Sequence, residues 1–293
     1  MKKIGVIIPT YNRKDLLLKL LSQIKDQETG LSSIEVIPII VVDGSTDGTI
    51  EALEAAGGVE IVKGDGSLWY TRSMNEGFAR AQKLGLNAVL TLNDDIILAE
   101  NYLSEIESII DSNDKLDVIG SITLTMDERP KIFFSGIKKF IKWRQKEVKY
   151  LPKFKEVVPS ELTGEYPSFL LPGRGMLISV EALKALDGFD NVFPQYHSDG
   201  DFCLRAIKKG FNVKVSYNLK IYSYIGLTAQ GSSFKKSSFK AFLKGFVNPY
   251  SRIYIPQVAR FVFRHGVKVL WPFSFCWTIL GYFKAYFFNK KVA

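Results

Sequence analysis

The sequence predicts an α/β protein built on a doubly wound, mainly parallel sheet and followed by a basic, aromatic, helical extension. Three observations predict it. Short apolar runs alternate with segments of helical period over the first 122 residues, the pattern of successive βαβ units. The runs are apolar at consecutive positions, as in VIIP and IIVV, which is what strands covered on both faces require. The acids end at Asp201: residues 202–293 carry 16 Lys+Arg and no Asp or Glu, while residues 1–201 are net −7.

The elements follow in order. Residues 3–8 read as a strand closed by Pro9. Residues 15–25 place Leu16, Leu17, Leu20, Leu21 and Ile24 on one helical stripe. Residues 35–42 are a second strand, with Pro38 tolerated near its start, and 49–56 a helix. Residues 59–62 are a third strand. Residues 72–84 are a helix with Met74, Phe78 and Ala81 on one face. A fourth strand, 88–92, runs into Asn93-Asp94-Asp95; a helix at 99–112 and a strand at 116–122 follow. Residues 125–167 are charge-rich and aromatic with weak periodicity, and read as strands and loops covering one side of a site. Residues 169–180 return to an apolar pattern around PGRGMLI, and 179–186 and 201–209 read as helices, the second ended by Gly210.

With 293 residues, 46% hydrophobic and 24% charged, the chain has the composition of a globular protein; collagen, coiled coil and wholesale disorder are excluded. Cys203 and Cys276 support neither a disulfide framework nor a zinc pattern and fit a reducing compartment. The apolar run before Pro9 is too short for a signal peptide. Residues 269–283 carry no charge, but they fall short of the roughly 20 residues that a spanning helix needs. Pro272 and Gly281 are expected to interrupt them.

Parallel α/β sheets bind ligands beyond the carboxyl ends of their strands, so the residues there are the functional candidates. Asp94 and Asp95 are adjacent carboxylates at a strand end. Either a hard divalent cation sits between them or they form a solvated turn capping the next helix. Asp43 could accept from a base or ribose; Ser45, Thr46 or Asp47 could cap a helix. Gly64-Asp65-Gly66 offers a permissive backbone beside Trp69, whose face suits a sugar or base. Asp199 and Asp201 bracket a glycine before a helix. Asp201 fits an N-cap, and Asp199, expected outside the first turn, could serve as a general base. His197 reads as a hydrogen-bonding surface residue.

In order and spacing, VIIPTYNR, VVDGSTDGT, GDGSLWYTRSMNEGF, TLNDDI, LPGRGMLIS and HSDGDFCLRAIKKGF resemble the family 2 glycosyltransferases. These are inverting enzymes of the GT-A fold, and the set looks most like the rhamnosyltransferase-like members that build surface polysaccharides. The resemblance covers about residues 3–225. It implies that Thr10, Tyr11, Asn12 and Asp43 lie along the nucleoside, and Gly64, Asp65 and Asn75 near the nucleotide and donor. It implies that Asp95 binds a divalent cation, Mn²⁺ or Mg²⁺, that bridges the diphosphate, with Asp94 close by. Arg174 would line the donor–acceptor junction and Asp199 would be the catalytic base. The donor would be a UDP-, dTDP- or GDP-linked sugar and the acceptor a hydroxyl of a lipid-linked or polysaccharide glycan. On this likeness residues 1–231 form the catalytic domain, with a donor half at about 1–124 and an acceptor half at about 125–231. The sequence departs from the family pattern at Gly44, directly after Asp43, at Ser198 before Asp199, and at Tyr222-Ser223-Tyr224, where many relatives place a histidine near the metal.

Residues 232–293 hold 17 of the 38 aromatics. Phe239, Phe242, Leu243, Phe246 and Val247 fall on one helical stripe, with Lys236, Lys240 and Lys244 on another. Such a segment suits the interface of an anionic membrane, or docks on the catalytic domain or on a second copy of the chain in a homodimer. No nucleic-acid module accompanies the charge. The expectation is a cytoplasmic enzyme, peripheral on the inner face of the cell membrane. The competing expectation is a catalytically silent nucleotide-sugar-binding or carbohydrate-binding partner of another transferase.

Overall fold

A computed structural model describes residues 1–113, 116–224 and 238–288. The first four strands and their helices arrive as the apolar pattern dictates: β1 (Lys2–Thr10), α1 (Lys14–Glu28), β2 (Ile34–Asp43), α2 (Thr49–Ala56), β3 (Glu60–Gly64), α3 (Trp69–Lys83) and β4 (Ala88–Thr91). β3, β2, β1 and β4 lie side by side in that order and all parallel. After the acidic pair come a short strand β5 (Ile96–Leu98), α4 (Tyr102–Ser112) and β6 (Val118–Thr125).

The second half completes the sheet with mixed directions. β7 (Ile132–Phe134) pairs with β6, and β8 (Ile137–Ile141) with β9 (Lys146–Lys149) forms a separate two-stranded hairpin. β10 (Glu165–Pro167), β11 (Met176–Ser179), α5 (Val180–Leu186), α6 (Ser198–Lys208) and β12 (Val213–Ser223) follow. β11 runs antiparallel between β4 and β6, so the 171–175 turn that leads into it lies at the carboxyl end of β4. β12 is parallel to β6 and also takes β5 and β10 on its edge.

Alternate residues of each strand feed opposite layers. Ile8, Ile40, Val42 and Leu90 pack under α1, α2 and α4 with Leu17, Leu20, Leu53 and Ile106. Ile7, Ile39, Val41 and Val89 pack under α3, α5 and α6 with Met74, Phe78, Leu183 and Phe202. Burial on both faces explains why the runs are continuously apolar. The expected α/β, mainly parallel fold is present.

The C-terminal part is helical: α7 (Phe239–Gly245), α8 (Ile255–His265) and α9 (Trp271–Phe288). Pro272 and Gly281 do not interrupt α9 as expected, because Pro272 falls in the first turn, where its missing N–H leaves no bond unmade. The expected apolar stripe is divided. Phe242 and Phe246 are buried against α9 residues Tyr282, Phe283 and Tyr286, while Phe239, Leu243 and Val247 stay exposed; Lys236 lies outside the described residues. α8 docks on the sheet domain through Phe261, which joins Ile137, Phe140, Leu170 and Phe193 in one cluster. Among the described residues no helix is long and apolar enough to cross a membrane.

Candidate active site

The end of β1 and the turn after β4 build one side of the site. Thr10 Oγ1 donates to Asp94 Oδ2 at 2.9 Å. Arg13, just past the strand, reaches back to Asp94 Oδ1 at 2.9 Å and lies 3.7 Å from Asp95 Oδ2. Both carboxylates are buried. Burial pushes the Asp94 carboxyl up, while Arg13 and Thr10 oppose the shift. Asp95 is left different: its Oδ1 is buried with no hydrogen-bond partner, and so is Oδ1 of the neighbouring Asn93. Orphaned buried oxygens are costly, and a pair of them suits a hard, oxygen-seeking cation. Among the described residues no group of three His, Cys, Asp or Glu could hold a metal. A cation at Asp95 would therefore take its remaining ligands from substrate phosphate and water, as Mg²⁺ commonly does.

The strand-end loops beside this pair are fastened to each other. Asp43 accepts from three backbone N–H groups, Gly66 at 2.8 Å on Oδ1 and Leu68 and Trp69 at 3.0 and 2.9 Å on Oδ2. It thereby moulds the 64–69 turn and caps α3, which starts at Trp69 rather than at residue 72. Gly64 is required there, since a Cβ would meet Asp43 Oδ1 at 2.7 Å and Leu68 at 2.6 Å. Asn12 Oδ1 accepts from Thr46 N at 2.7 Å, tying the first strand end to the second. Asp47, expected to cap one helix, serves two. Its Oδ2 accepts from Lys14 N at the start of α1, and its Oδ1 accepts from Thr49 at the start of α2. Asp65 and Tyr11 are exposed, Asp65 accepting from Ser67. Asn75 faces elsewhere: its amide exchanges hydrogen bonds with the backbone of Phe189 at 2.8 and 2.9 Å and so braces the 187–191 loop.

The opposite side is the start of α6. This helix begins at Ser198 rather than at residue 201, with His197 as its N-cap. Asp199 therefore lies inside the first turn, and Asp201 is not the cap. Asp199 Oδ1 accepts from Gly200 N at 2.8 Å and Oδ2 from Gly173 N at 3.0 Å. These two bonds hold the carboxylate against the turn that leads into β11. Desolvation raises the Asp199 carboxyl above the ordinary range, with the two backbone donors and Arg174 opposing. Arg174 is buried and donates to Ser223 Oγ at 2.6 Å, so the segment expected to carry a histidine instead positions a guanidinium. Tyr70 lies over Gly173, its hydroxyl buried and unpartnered, and burial together with Asp199 pushes its ionisation well up. His197 is held by the carbonyl of Arg252 at 3.1 Å; burial pulls it down to about 4, which keeps it neutral at pH 7.

A cavity of about 770 Å³ joins the two sides, with Arg13, Asn93, Asp95, Tyr70, Arg174 and Asp199 on its walls. Of the sequence candidates, Asp95, Arg174 and Asp199 thus meet in one space, with Thr10 and Asp94 immediately behind Asp95. Tyr11, Asn12, Asp43, Gly64, Asp65 and Trp69 form the adjoining strand-end loops. Sequence reasoning passed over Arg13 and Tyr70, although each stands one residue from a candidate. It also missed what the extension contributes. Arg252, Trp277 and Tyr282 line the same cavity, and Tyr250 stacks on Trp69 with ring centroids 3.6 Å apart and planes 14° from parallel. The α8 end is anchored by Asp201. This fully buried carboxylate accepts from Arg205 Nε at 2.7 Å and Arg264 Nη1 at 2.8 Å, and meets His265 Nε2 at 2.7 Å. Burial would raise it, but these partners together hold it below the usual range.

The model of the family described as Glycosyl transferase family 2 matches residues 5–161, and that described as Glycosyl transferase family group 2 matches residues 88–289. No curated protein matches the chain. A solved structure titled "Crystal structure of GalNAc-T7 with UDP, GalNAc and Mn2+" superposes with a TM-score of 0.58 at 14% identity, over 95% of this chain and 55% of that one. The chain spans about half the length of that protein, and the likeness is one of fold, the GT-A fold.

Proposed function

The chain belongs to glycosyl transferase family 2, and from that premise we propose that it moves a sugar from a nucleotide-diphosphate donor to an acceptor hydroxyl with inversion, using Asp199 as general base. The observation that carries the reading is the shared cavity. It sets Asp199, a carboxylate fixed by two backbone N–H groups, in one space with Asp95, a carboxylate with an orphaned oxygen. The donor nucleoside lies along the loops shaped by Asn12, Asp43 and Gly64, with its diphosphate toward Asp95 and Arg13. Asp199 takes the proton of the acceptor hydroxyl, and the freed oxygen pair bonds to the anomeric carbon from the face opposite the leaving diphosphate. One displacement inverts that carbon. The divalent cation, when bound at Asp95, neutralises charge developing on the leaving diphosphate. The raised Asp199 carboxyl suits a base that must hold its proton after the step.

UDP with Mn²⁺, the ligands named for the structural neighbour, are the first probes. Asp199→Asn is expected to keep the thermal shift given by UDP and Mn²⁺ while transfer falls about 10²–10⁴-fold. Unchanged transfer would overturn the base assignment. In the active protein the acid limb of kcat/KM lies above the ordinary carboxylate range, with activity rising as Asp199 deprotonates. We also place the chain at a membrane surface. Val269, Leu280, Phe287 and Phe288 are exposed apolar side chains on an extension that also carries Lys240, Lys244, Lys268 and Lys284, the composition of an interfacial segment.

A further inference from the structure

The outer face of the β8–β9 hairpin carries charge that the active site does not use. Residues 138–146 read KKFIKWRQK, five bases in nine positions with no acid, inside a stretch, residues 1–201, that is net −7. The hairpin packs inward through Ile137 and Phe140, which join Leu170, Phe193 and Phe261 in one cluster. Lys138, Lys139, Lys142, Arg144 and Lys146 are left exposed. None of the five makes an ion pair with a described residue. The one carboxylate of the hairpin, Glu147, lines the cavity, and the charges that act on it are Lys149, Arg252 and Asp199, none of the five.

The tip of the hairpin is also aromatic, and its ring joins those of α9. Trp143 lies with its ring centroid 6.1 Å from Phe273 and 6.3 Å from Trp277, and all three rings are exposed. The Arg144 guanidinium stands 5.0 Å from the Trp143 ring centre and 5.1 Å from that of Trp277. Along α9 the exposed row continues from Trp277 to Leu280, three residues on and so on the same face. Before α9, Lys268 Nζ sits 3.8 Å over the ring of the exposed Phe263, next to Val269, which is 90% exposed. Exposed tryptophans among lysines suit an anionic lipid surface, with the rings at headgroup level and the lysines beside acidic headgroups. The phosphates of a nucleic acid would engage the bases but would leave Val269 and Leu280 without an apolar partner.

We propose that the β8–β9 hairpin is a second membrane contact, its lysines set against anionic headgroups and Trp143 seated at headgroup level beside Phe273 and Trp277. The proposal rests on the membrane reading of the C-terminal helices for the presence of a bilayer, and adds a contact made by the sheet domain. Two contacts on one body fix how it sits on a surface. Arg144 and Gln145 on the hairpin and Trp277 and Gly281 on α9 line the cavity, and Arg144, Trp277 and Gly281 are exposed. That edge of the cavity is therefore turned to the lipid rather than to bulk water.

Co-sedimentation of the full chain with vesicles tests it, comparing equal parts phosphatidylglycerol and phosphatidylcholine with phosphatidylcholine alone. One lysine near an anionic surface is worth about fivefold in partitioning. Lys138→Gln, Lys139→Gln, Lys142→Gln and Lys146→Gln together should therefore weaken binding to the anionic vesicles about 10²-fold or more, with melting temperature unchanged. Brominated acyl chains should quench the tryptophan emission of the bound wild type more than that of Trp143→Phe. Wild-type affinity in the quadruple variant, or equal quenching in Trp143→Phe, overturns the hairpin contact and leaves that of the C-terminal helices standing. A duplex oligonucleotide bound more tightly than the anionic vesicles assigns the patch to nucleic acid and overturns it too. If the full chain binds neither kind of vesicle, the membrane reading itself fails and the hairpin contact falls with it.

Discussion

Asp201→Asn removes one charge from a buried carboxylate paired with two arginines, and its cost can be worked out from the contacts. The carboxylate is fully buried, while the Arg205 and Arg264 side chains keep 19% and 23% of their exposure. Both guanidinia would then face a neutral amide. Removing one partner of a buried pair costs about 3–5 kcal/mol, because the remaining charge stays desolvated. At about 2–4 °C per kcal/mol for a large domain, melting should fall by roughly 6–20 °C. The sign with pH is fixed. Asp201 is held below its unfolded value of about 3.9, so its contribution is present above about pH 4 and is lost as pH falls through the folded value. Melting curves of wild type and variant should therefore be separated at neutral pH and converge in acid. Adding Arg264→Met to Asp201→Asn should cost clearly less than the sum of the two single substitutions, since the partners share one network. A loss under about 1 kcal/mol, or a gap that does not close in acid, would refute the claim that this carboxylate clamps α8 to α6.

Two further outcomes follow from the geometry. Gly173→Ala sets a Cβ against the hydroxyl of Tyr70 and displaces the N–H that holds Asp199. Steady-state assays should show kcat collapsing with folding intact, and Tyr70→Phe in the same chain should restore part of it; an active single variant would refute the packing. In flotation assays the full chain should rise with anionic liposomes and not with neutral ones. Replacing Val269, Leu280 and Phe288 together with Ser should abolish that, and unchanged flotation would defeat the membrane assignment.

The sheet domain was legible because strands covered on both faces must be apolar throughout, so VIIP, IIVV and AVLTL stand out without any alignment. Asp95 was singled out because a parallel sheet presents its strand ends as a row, and Asp199, in the first turn of α6, by its place before a helix and by the family likeness. Three features were not. β11 runs antiparallel between parallel neighbours, and its four residues carry no mark of direction. β12 was passed over although Val213–Ile221 alternates apolar and polar residues with the period of a strand. Arg252 and Trp277 lie 29 and 54 residues beyond the end of β12 at Ser223, and basic and aromatic composition alone does not say which of them turn inward. The start of α6 was misplaced because His197 caps it in a left-handed conformation, φ 72°, a role that its residue type does not announce.

The stretch of chain that holds the base is thus different from the stretch that closes the far wall. Retargeting such a protein is therefore a local problem. Residues on α9 and on the β8–β9 hairpin that line the cavity can be varied to reshape it while β4 and the first turn of α6 stay as they are. The constraint on any such library is Asp201: its two arginines and His265 must be kept, because they fasten α8 to α6.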